Sequence, residues 1–185
     1  MKQFCSIAEI LELYEQYGNE FYSEEITQTS HALQCATLAQ ESGATDELVV
    51  AALLHDVGHL IDLAQHGSDT TAFESDAKHE SIGAQSLAKL FSSGVTAPIA
   101  LHVDAKRWLC ATNLLYHDSL SRASAASLIL QGGPMTSDEQ LRFRSHPQSG
   151  FAVKLRNWDD NGKAIEPPEL NFKKFAPVLE RVCLK

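Results

Sequence analysis

Cysteine is scarce in this chain, and the four present, Cys5, Cys35, Cys110 and Cys183, form no CxxC pair. Neither their spacing nor their neighbouring charge activates one of them. Cys35 and Cys110 lie in apolar segments and are expected as free buried thiols in a reducing cytoplasm. Positive charge is also in deficit: 15 Lys and Arg stand against 24 Asp and Glu, for a formal net charge of −9. That argues against non-specific binding to nucleic acid or an anionic membrane, both of which need a basic surface. A small anionic ligand stays open, because a local basic pocket can override the global sign. Long hydrophobic runs are missing too. None approaches ~18 residues and no signal peptide is recognised, so no spanning helix and a cytoplasmic location are expected. Alternating strand patterns, internal repeats, low-complexity tracts and linkers are all absent. What is there is an ordinary globular balance, 44% hydrophobic and 21% charged, over 185 residues. That length suits one all-α domain over residues 1–185 with a sizeable core.

Helical signals follow one another along the chain. Ser6 can cap a first helix bearing Ile7, Ile10, Leu11 and Tyr14, and Gly18 ends it. Thr27 or Thr29 opens a second that Gly43 follows. Thr45 opens a third, "DELVVAALLHD", too apolar for a surface helix and read as central and buried. Residues 64–78 are polar and loop-like. Helical patterns return at 79–91, 96–109 and 119–130, and "QGGPM" (131–135) is a hard stop. "TSDEQLRFRSH" places acids in its first turn, as the helix dipole prefers. "WDDNGK" (158–163) reads as a turn, and a last short helix follows Pro167 and Pro168.

Across these helices His31, His55, His79 and His102 recur at intervals of 24, 24 and 23 residues. Each interval is about one helix and one connection, so the four can converge from different helices. Asp56 is joined to His55, and Asp159 and Asp160 follow much later. Imidazole and carboxylate are the ligand set of zinc, iron and manganese. Adjacent helical residues point ~100° apart, so His55 and Asp56 do not easily serve one metal side by side. They can if Asp56 bridges two metals and His55 takes one. Four histidines and two aspartates suit a dinuclear centre and exceed a four-coordinate zinc. His55 and His59 also make an HxxxH, but the HExxH glutamate is absent and Gly58 weakens the helix, so His59 is placed outside the ligand set. His66, His117 and His146 lie in polar surroundings and are expected to be exposed.

His31, then His55-Asp56, then a distant Asp resembles the HD-domain superfamily, most of whose members are metal-dependent phosphohydrolases. His79 and His102 resemble the extra ligands of its dinuclear members. "TQTSHALQ" (27–34), "AALLHDVGH" (51–59), "HVDAKR" (102–107), "QGGPM" (131–135) and "LRNWDDNGK" (155–163) are similar to a narrower group. These are the mixed-valent diiron oxygenases that cleave the C–P bond of 2-amino-1-hydroxyethylphosphonate or its trimethylammonio analogue. The resemblance covers about residues 22–163. It implies a helical HD-domain bundle around two iron ions, Fe(II) and Fe(III), with dioxygen as co-substrate. It implies His31, His55, Asp56, His79, His102 and Asp159 as metal ligands, with Asp56 as the bridge. His59, Lys106 and Arg156 match groups that hold the phosphonate, helped by Ser124, Ser127 and Gln131, with His59 and Lys106 in the catalytic role. These residue types suit an anion: a phosphonate dianion wants cationic donors, and Arg offers a planar fork. Lys106 lies four residues past His102, which a helix would present on one side, and Ser124 and Ser127 are three apart.

One feature departs from the family. Its Tyr-x-x-Glu ahead of the first histidine falls here on Phe21 and Glu24, while a second such pair, Tyr22 and Glu25, sits one residue later. Aromatics and acids in "EFYSEE" (20–25) suit a quaternary ammonium by cation–π attraction, so Tyr22 and Glu24 are expected at the amine end of the substrate. The implied reaction gives phosphate and glycine betaine or glycine. An HD-domain phosphohydrolase acting through a metal-bound hydroxide uses the same residue types and is the alternative.

Overall fold

The computed structural model describes residues 2–21, 26–67, 78–165 and 171–184. Helix α1 (Ile7–Tyr17) starts where Ser6 accepts from the Glu9 amide, and it ends at Gly18. Thr27, rather than Thr29, caps α2 (Gln28–Glu41), because its hydroxyl accepts from the Ser30 amide. Helix α3 (Asp46–Leu54) buries every residue from Leu48 to Leu54. It is the central helix its apolar sequence called for, and α2, α6 and the last helix pack around it. Leu53 and Leu54 are fully buried, each contributing about 1.5–3 kcal/mol of transfer free energy.

Helix α4 (Val57–His66) follows α3 after a break at His55 and Asp56. Then come α5 (His79–Leu87), α6 (Ser93–Thr112), α7 (Leu114–Asp118), α8 (Arg122–Leu130), α9 (Ser137–Ser145), α10 (Ser149–Asn161), a 3-10 turn at Phe172–Lys174 and α11 (Ala176–Val182). Helix α10 lies on α6 and α2, and α5 bridges α4 and α6. Among the described residues there is no named strand, only two isolated bridges, and no helix long and apolar enough to cross a membrane. The acidic first turn of α9 is a complete capping box between Thr136 and Glu139.

Some sequence expectations change. Helix α4 runs through His66 into the segment read as a loop, and α5 stops at Leu87 rather than at 91. Residues 158–161 are not a turn: α10 continues to Asn161, and only Gly162 and Lys163 leave it. Arg156 pairs with Asp159 and Asp160 at i+3 and i+4, which ties the last turn into the helix. The pattern at 119–130 begins later than expected, because Ser121 caps α8 by accepting from Ser124 and α7 stands apart before it.

Two glycines set the approach of helices at the centre. A Cβ on Gly58 would lie 2.0 Å from the His79 carbonyl oxygen, so only glycine lets α4 touch the start of α5. A Cβ on Gly162 would lie 2.5 Å from Cys35 Sγ, so glycine brings the end of α10 against α2. Gly58→Ala is therefore expected to destabilise the chain by about 1–3 kcal/mol through overpacking against backbone. Gly150→Ala, with nothing near its Cβ position, should be neutral or stabilising by up to about 1 kcal/mol. Denaturant midpoints of the two variants check this, and equal midpoints would refute the close-approach role.

Candidate metal centre

His31 comes from α2, His55 and Asp56 from the α3–α4 break, His59 from α4, His79 from the start of α5, His102 from α6 and Asp159 from α10. His55 and His102 are almost completely buried, and His31, His79 and Asp159 nearly so. Asp56 sits in the bridge region at φ −97°, ψ 9°, and its carboxylate makes no capping bond to the helix it precedes. It turns inward instead.

Asp56 divides the histidines between its two oxygens. Its Oδ2 lies 3.6 Å from His31 Nε2 and 3.4 Å from His55 Nε2. Its Oδ1 lies 3.5 Å from His79 Nε2, 3.8 Å from His102 Nε2 and 3.9 Å from His59 Nε2. Asp159 joins the first group only, with Oδ1 at 3.3 Å from His31 Nε2 and 3.9 Å from His55 Nε2.

Backbone carbonyls select the ring nitrogen that points inward. His31 Nδ1 donates to Gly162 O at 2.9 Å, His55 Nδ1 to Ala52 O at 2.9 Å, and His102 Nδ1 to Ile99 O at 2.8 Å. In the neutral ring each Nδ1 therefore carries the proton and each Nε2 presents a lone pair to the centre, the usual arrangement behind a metal-binding imidazole. Two further observations fit a cation there. His55 Nε2 is buried with no hydrogen-bond partner. His79 Nε2 and His102 Nε2 face each other at 3.1 Å; with the His102 proton on Nδ1, His79 Nε2 must donate to His102 unless a cation lies between the two. Ligand atoms of Asp56, His59 and His79, and separately of His31, Cys35 and His55, lie within 4.8 Å of one another.

The two groups differ electrostatically. Burial disfavours the charged form of His55, but Asp56 and Asp159 more than reverse this and hold its pKa up to about 9. Burial and then repulsion from His55 push His102 down to about 4. His79 falls well below its ordinary value through burial and the neighbouring His59, whose ring stacks on it at 3.8 Å. Burial raises the Asp56 carboxyl, yet the surrounding imidazoles, His55 foremost, leave it far below the ordinary carboxylate range.

Beside this centre lies a buried cationic cluster. Lys106 Nζ donates to Ser127 Oγ at 2.8 Å and to Ser124 O at 3.5 Å. Ser124 and Ser127 do share a face of α8, since Ser127 Oγ donates to Ser124 O. Burial lowers the Lys106 ammonium to about 8, with Arg156 adding to the effect and Asp159 and Asp160 opposing it. Gln131 ends α8 through its backbone N–H, which donates to Ser127 O and Ile129 O, and its side-chain oxygen is buried with no hydrogen-bond partner.

Arg156 is buried, not surface charge. Its Nη1 donates to Asp159 Oδ2 at 2.7 Å, its Nε to Tyr116 Oη at 3.0 Å and to Asp160 Oδ2 at 3.1 Å, and its Nη2 to Ser124 Oγ at 3.3 Å and to Asp160 Oδ1.

His66, His117 and His146 are exposed, as their surroundings suggested. Phe21 is 67% exposed. Tyr22 and Glu24, expected at the amine end of the substrate, lie outside the described residues. Sequence reasoning missed two neighbours. Cys35 Sγ lies 3.7 Å from His31 Nδ1, a contact its i+4 spacing on α2 signals. Tyr116 reaches Arg156 from another helix, and no local pattern announces that.

The HD domain family matches residues 29–116. A hydroxymethylphosphonate dioxygenase of Gimesia maris is 46% identical over 166 residues, 89% of this chain and 82% of its own. A glycine-betaine-forming [1-hydroxy-2-(trimethylamino)ethyl]phosphonate dioxygenase of Leisingera caerulea is 37% identical over 174 residues, 94% of this chain and 88% of its own. An uncharacterized protein of Acanthamoeba polyphaga mimivirus is 36% identical over 160 residues, 84% of this chain and 72% of its own.

The geometry makes Arg156 the counter-charge of two carboxylates on one buried helix end. Arg156→Leu strands both of them and is expected to cost the metal-free chain about 3–5 kcal/mol, the scale of a broken buried ion pair. Urea unfolding measures it, and a loss below about 1 kcal/mol would show Arg156 to be a weakly coupled exposed-type pair.

Proposed function

The chain belongs to the HD-domain phosphonate dioxygenases, and from that premise we propose that it cleaves the C–P bond of a small 1-hydroxyalkylphosphonate with dioxygen, releasing phosphate and a carboxylate. The observation that carries the reading is the division of histidines across the two oxygens of Asp56, with His31 and His55 on one and His79 and His102 on the other. We assign two iron ions, a mixed-valent Fe(II)/Fe(III) pair, to these residues, with Asp56 as the shared ligand and Asp159 completing the first group. The irons, when bound, supply the redox chemistry that lets dioxygen react at the hydroxyl-bearing carbon.

The side chains do the rest. Lys106, Ser124, Ser127 and Gln131 receive the phosphonate oxygens, with His59 beside the second histidine group and the remaining Nη1 proton of Arg156 at the edge of that cluster. A buried ammonium bonded only to neutral oxygens gains most from an arriving dianion, because a charge-assisted bond replaces a weaker one. Holding the phosphonate there aims the adjacent C–OH at the centre and excludes water from it.

For the substituent on that carbon, the first choice is none. Hydroxymethylphosphonate is the substrate named for the relative at 46% identity, and exposed Phe21 does not line an ammonium pocket. Its balance closes: hydroxymethylphosphonic acid and one dioxygen give formic acid and phosphoric acid. The second choice is the trimethylammonio compound named for the relative at 37%, with Tyr22 and Glu24 facing the amine and glycine betaine as product; the primary amine would give glycine. A chain with four free cysteines and a centre using reduced iron suits the cytoplasm.

Oxygen consumption and phosphate release are measured on the three phosphonates side by side. Oxygen-dependent phosphate release from hydroxymethylphosphonate, exceeding that from the amines, is expected. Phosphate release from nucleotides without oxygen, and none from the phosphonates, would replace this reading with the phosphohydrolase one.

Metal analysis should find about two irons per chain, with Asp56→Ala losing both and Asp159→Ala one, as expected of a shared and an unshared ligand. His59→Ala should keep both and lose turnover; a lost iron there would move His59 into the ligand set. The Lys106 cation is present below its pKa of about 8 and lost above it, so kcat/KM should fall as pH rises through that value. Lys106→Arg keeps its charge, and its profile should lack that falling limb. An unchanged limb would show that another group titrates.

A further inference from the structure

Tyr116 and Asp160 stand behind the centre, and neither touches the histidines. Tyr116 on α7 donates to Asp160 Oδ2 at 2.6 Å. The same hydroxyl accepts from Arg156 Nε at 3.0 Å, and Asp160 Oδ2 accepts from Nε at 3.1 Å. Asp160 Oδ1 takes an Nη2 proton. One whole edge of the guanidinium is thereby engaged, and Arg156 meets Asp159 only through Nη1, at Oδ2. That leaves Asp159 Oδ1 facing His31 and His55.

The sequence spacing explains why this needs enforcing. Asp159 and Asp160 lie at i+3 and i+4 from Arg156 on α10, so the fork can reach either carboxylate. A guanidinium free to choose pairs with a carboxylate through both oxygens, the stronger geometry. Such a pair with Asp159 would draw both of its oxygens away from the imidazoles. Asp160 competes for the fork, and Tyr116, arriving from a separate helix, bonds both partners and fixes the plane.

We propose that Asp160 and Tyr116 are positioning residues that hold Arg156 to a single oxygen of Asp159, and so set the metal affinity of the His31, His55 and Asp159 group. The proposal rests on the two-metal reading of the centre. It concerns residues that bind neither metal nor phosphonate.

The test titrates metal-free chain with Co(II) against a chromogenic chelator, recording the ligand-field bands of each bound ion. Wild type should bind at two sites. Asp160→Asn should weaken one site by about 10–100-fold, the scale of losing an outer partner of a ligand, and shift that site's bands. The other site should stay within about twofold, and Asp160→Glu should restore most of the loss. Tyr116→Phe should weaken the same site by about 3–10-fold, as one lost hydrogen bond does. Tyr116→Phe removes a single oxygen, so it carries the test if Asp160→Asn fails to fold by circular dichroism. Wild-type affinity and bands in the folded variants would overturn the proposal while leaving the two-metal reading in place. A loss shared equally by both sites would overturn it as a general structural effect. A wild type that binds no Co(II) would overturn both together.

Discussion

A single carboxylate, Asp56, placed among buried imidazoles, is the constraint on which the rest of this fold depends. Taking a charge out of water costs several kcal/mol unless partners compensate. Here the carboxylate is ringed by Nε2 atoms 3.4–3.9 Å away on α2, α4, α5, α6 and the end of α3, which compensate it when they carry protons or share a cation with it. Each helix that supplies a nitrogen must be held at a fixed height and rotation, because a small shift would leave either the carboxylate or an imidazole unpaired. The apolar core supplies that hold. Helix α3, buried along its length, fixes the break at which His55 and Asp56 leave the helical path.

The break has a chemical use. Were α3 and α4 continuous, His55 and Asp56 would point ~100° apart on one cylinder. With α3 ending at Leu54, His55 Nδ1 uses the carbonyl of Ala52 at the helix end, which has no intrahelical partner. Asp56 in the bridge conformation turns back over it. Gly58 then lets α4 pass against the backbone of His79, bringing the second histidine pair within reach of the other carboxylate oxygen. Gly162 does the same for α10, delivering both the Asp159 carboxylate and the carbonyl that orients His31.

The two sides of the centre carry different counter-charges. Asp159 stands beside His31 and His55, and Arg156 stands behind Asp159. The cluster of Lys106, Ser124 and Ser127 adjoins that same arginine through Ser124. Asp159, Arg156, Ser124 and Lys106 are thus one hydrogen-bonded unit.

Much of this was legible in the sequence. Helix periodicity marked most elements and capping residues the first three, because those signals are local: Ser6, Thr27 and Thr45 each accept from their own first turn. The near-regular recurrence of His31, His55, His79 and His102 marked a converging set, since one helix and one connection separate each from the next. Lys106, Ser124 and Ser127 were drawn together by the motif resemblance, and they do lie in hydrogen-bond contact. The helical end at Asp159 was not, because "DDNG" reads as a turn until Arg156 ties both aspartates into α10. Nor were the contacts of Tyr116 with Arg156 and of Gly58 with His79. Residue type and spacing determine which side chains share a helix face. Which faces meet, and which oxygen of a carboxylate each nitrogen finds, depends on crossing angles and on how closely backbones approach. Those are decided by packing between segments far apart in the chain, and only the tertiary structure contains them.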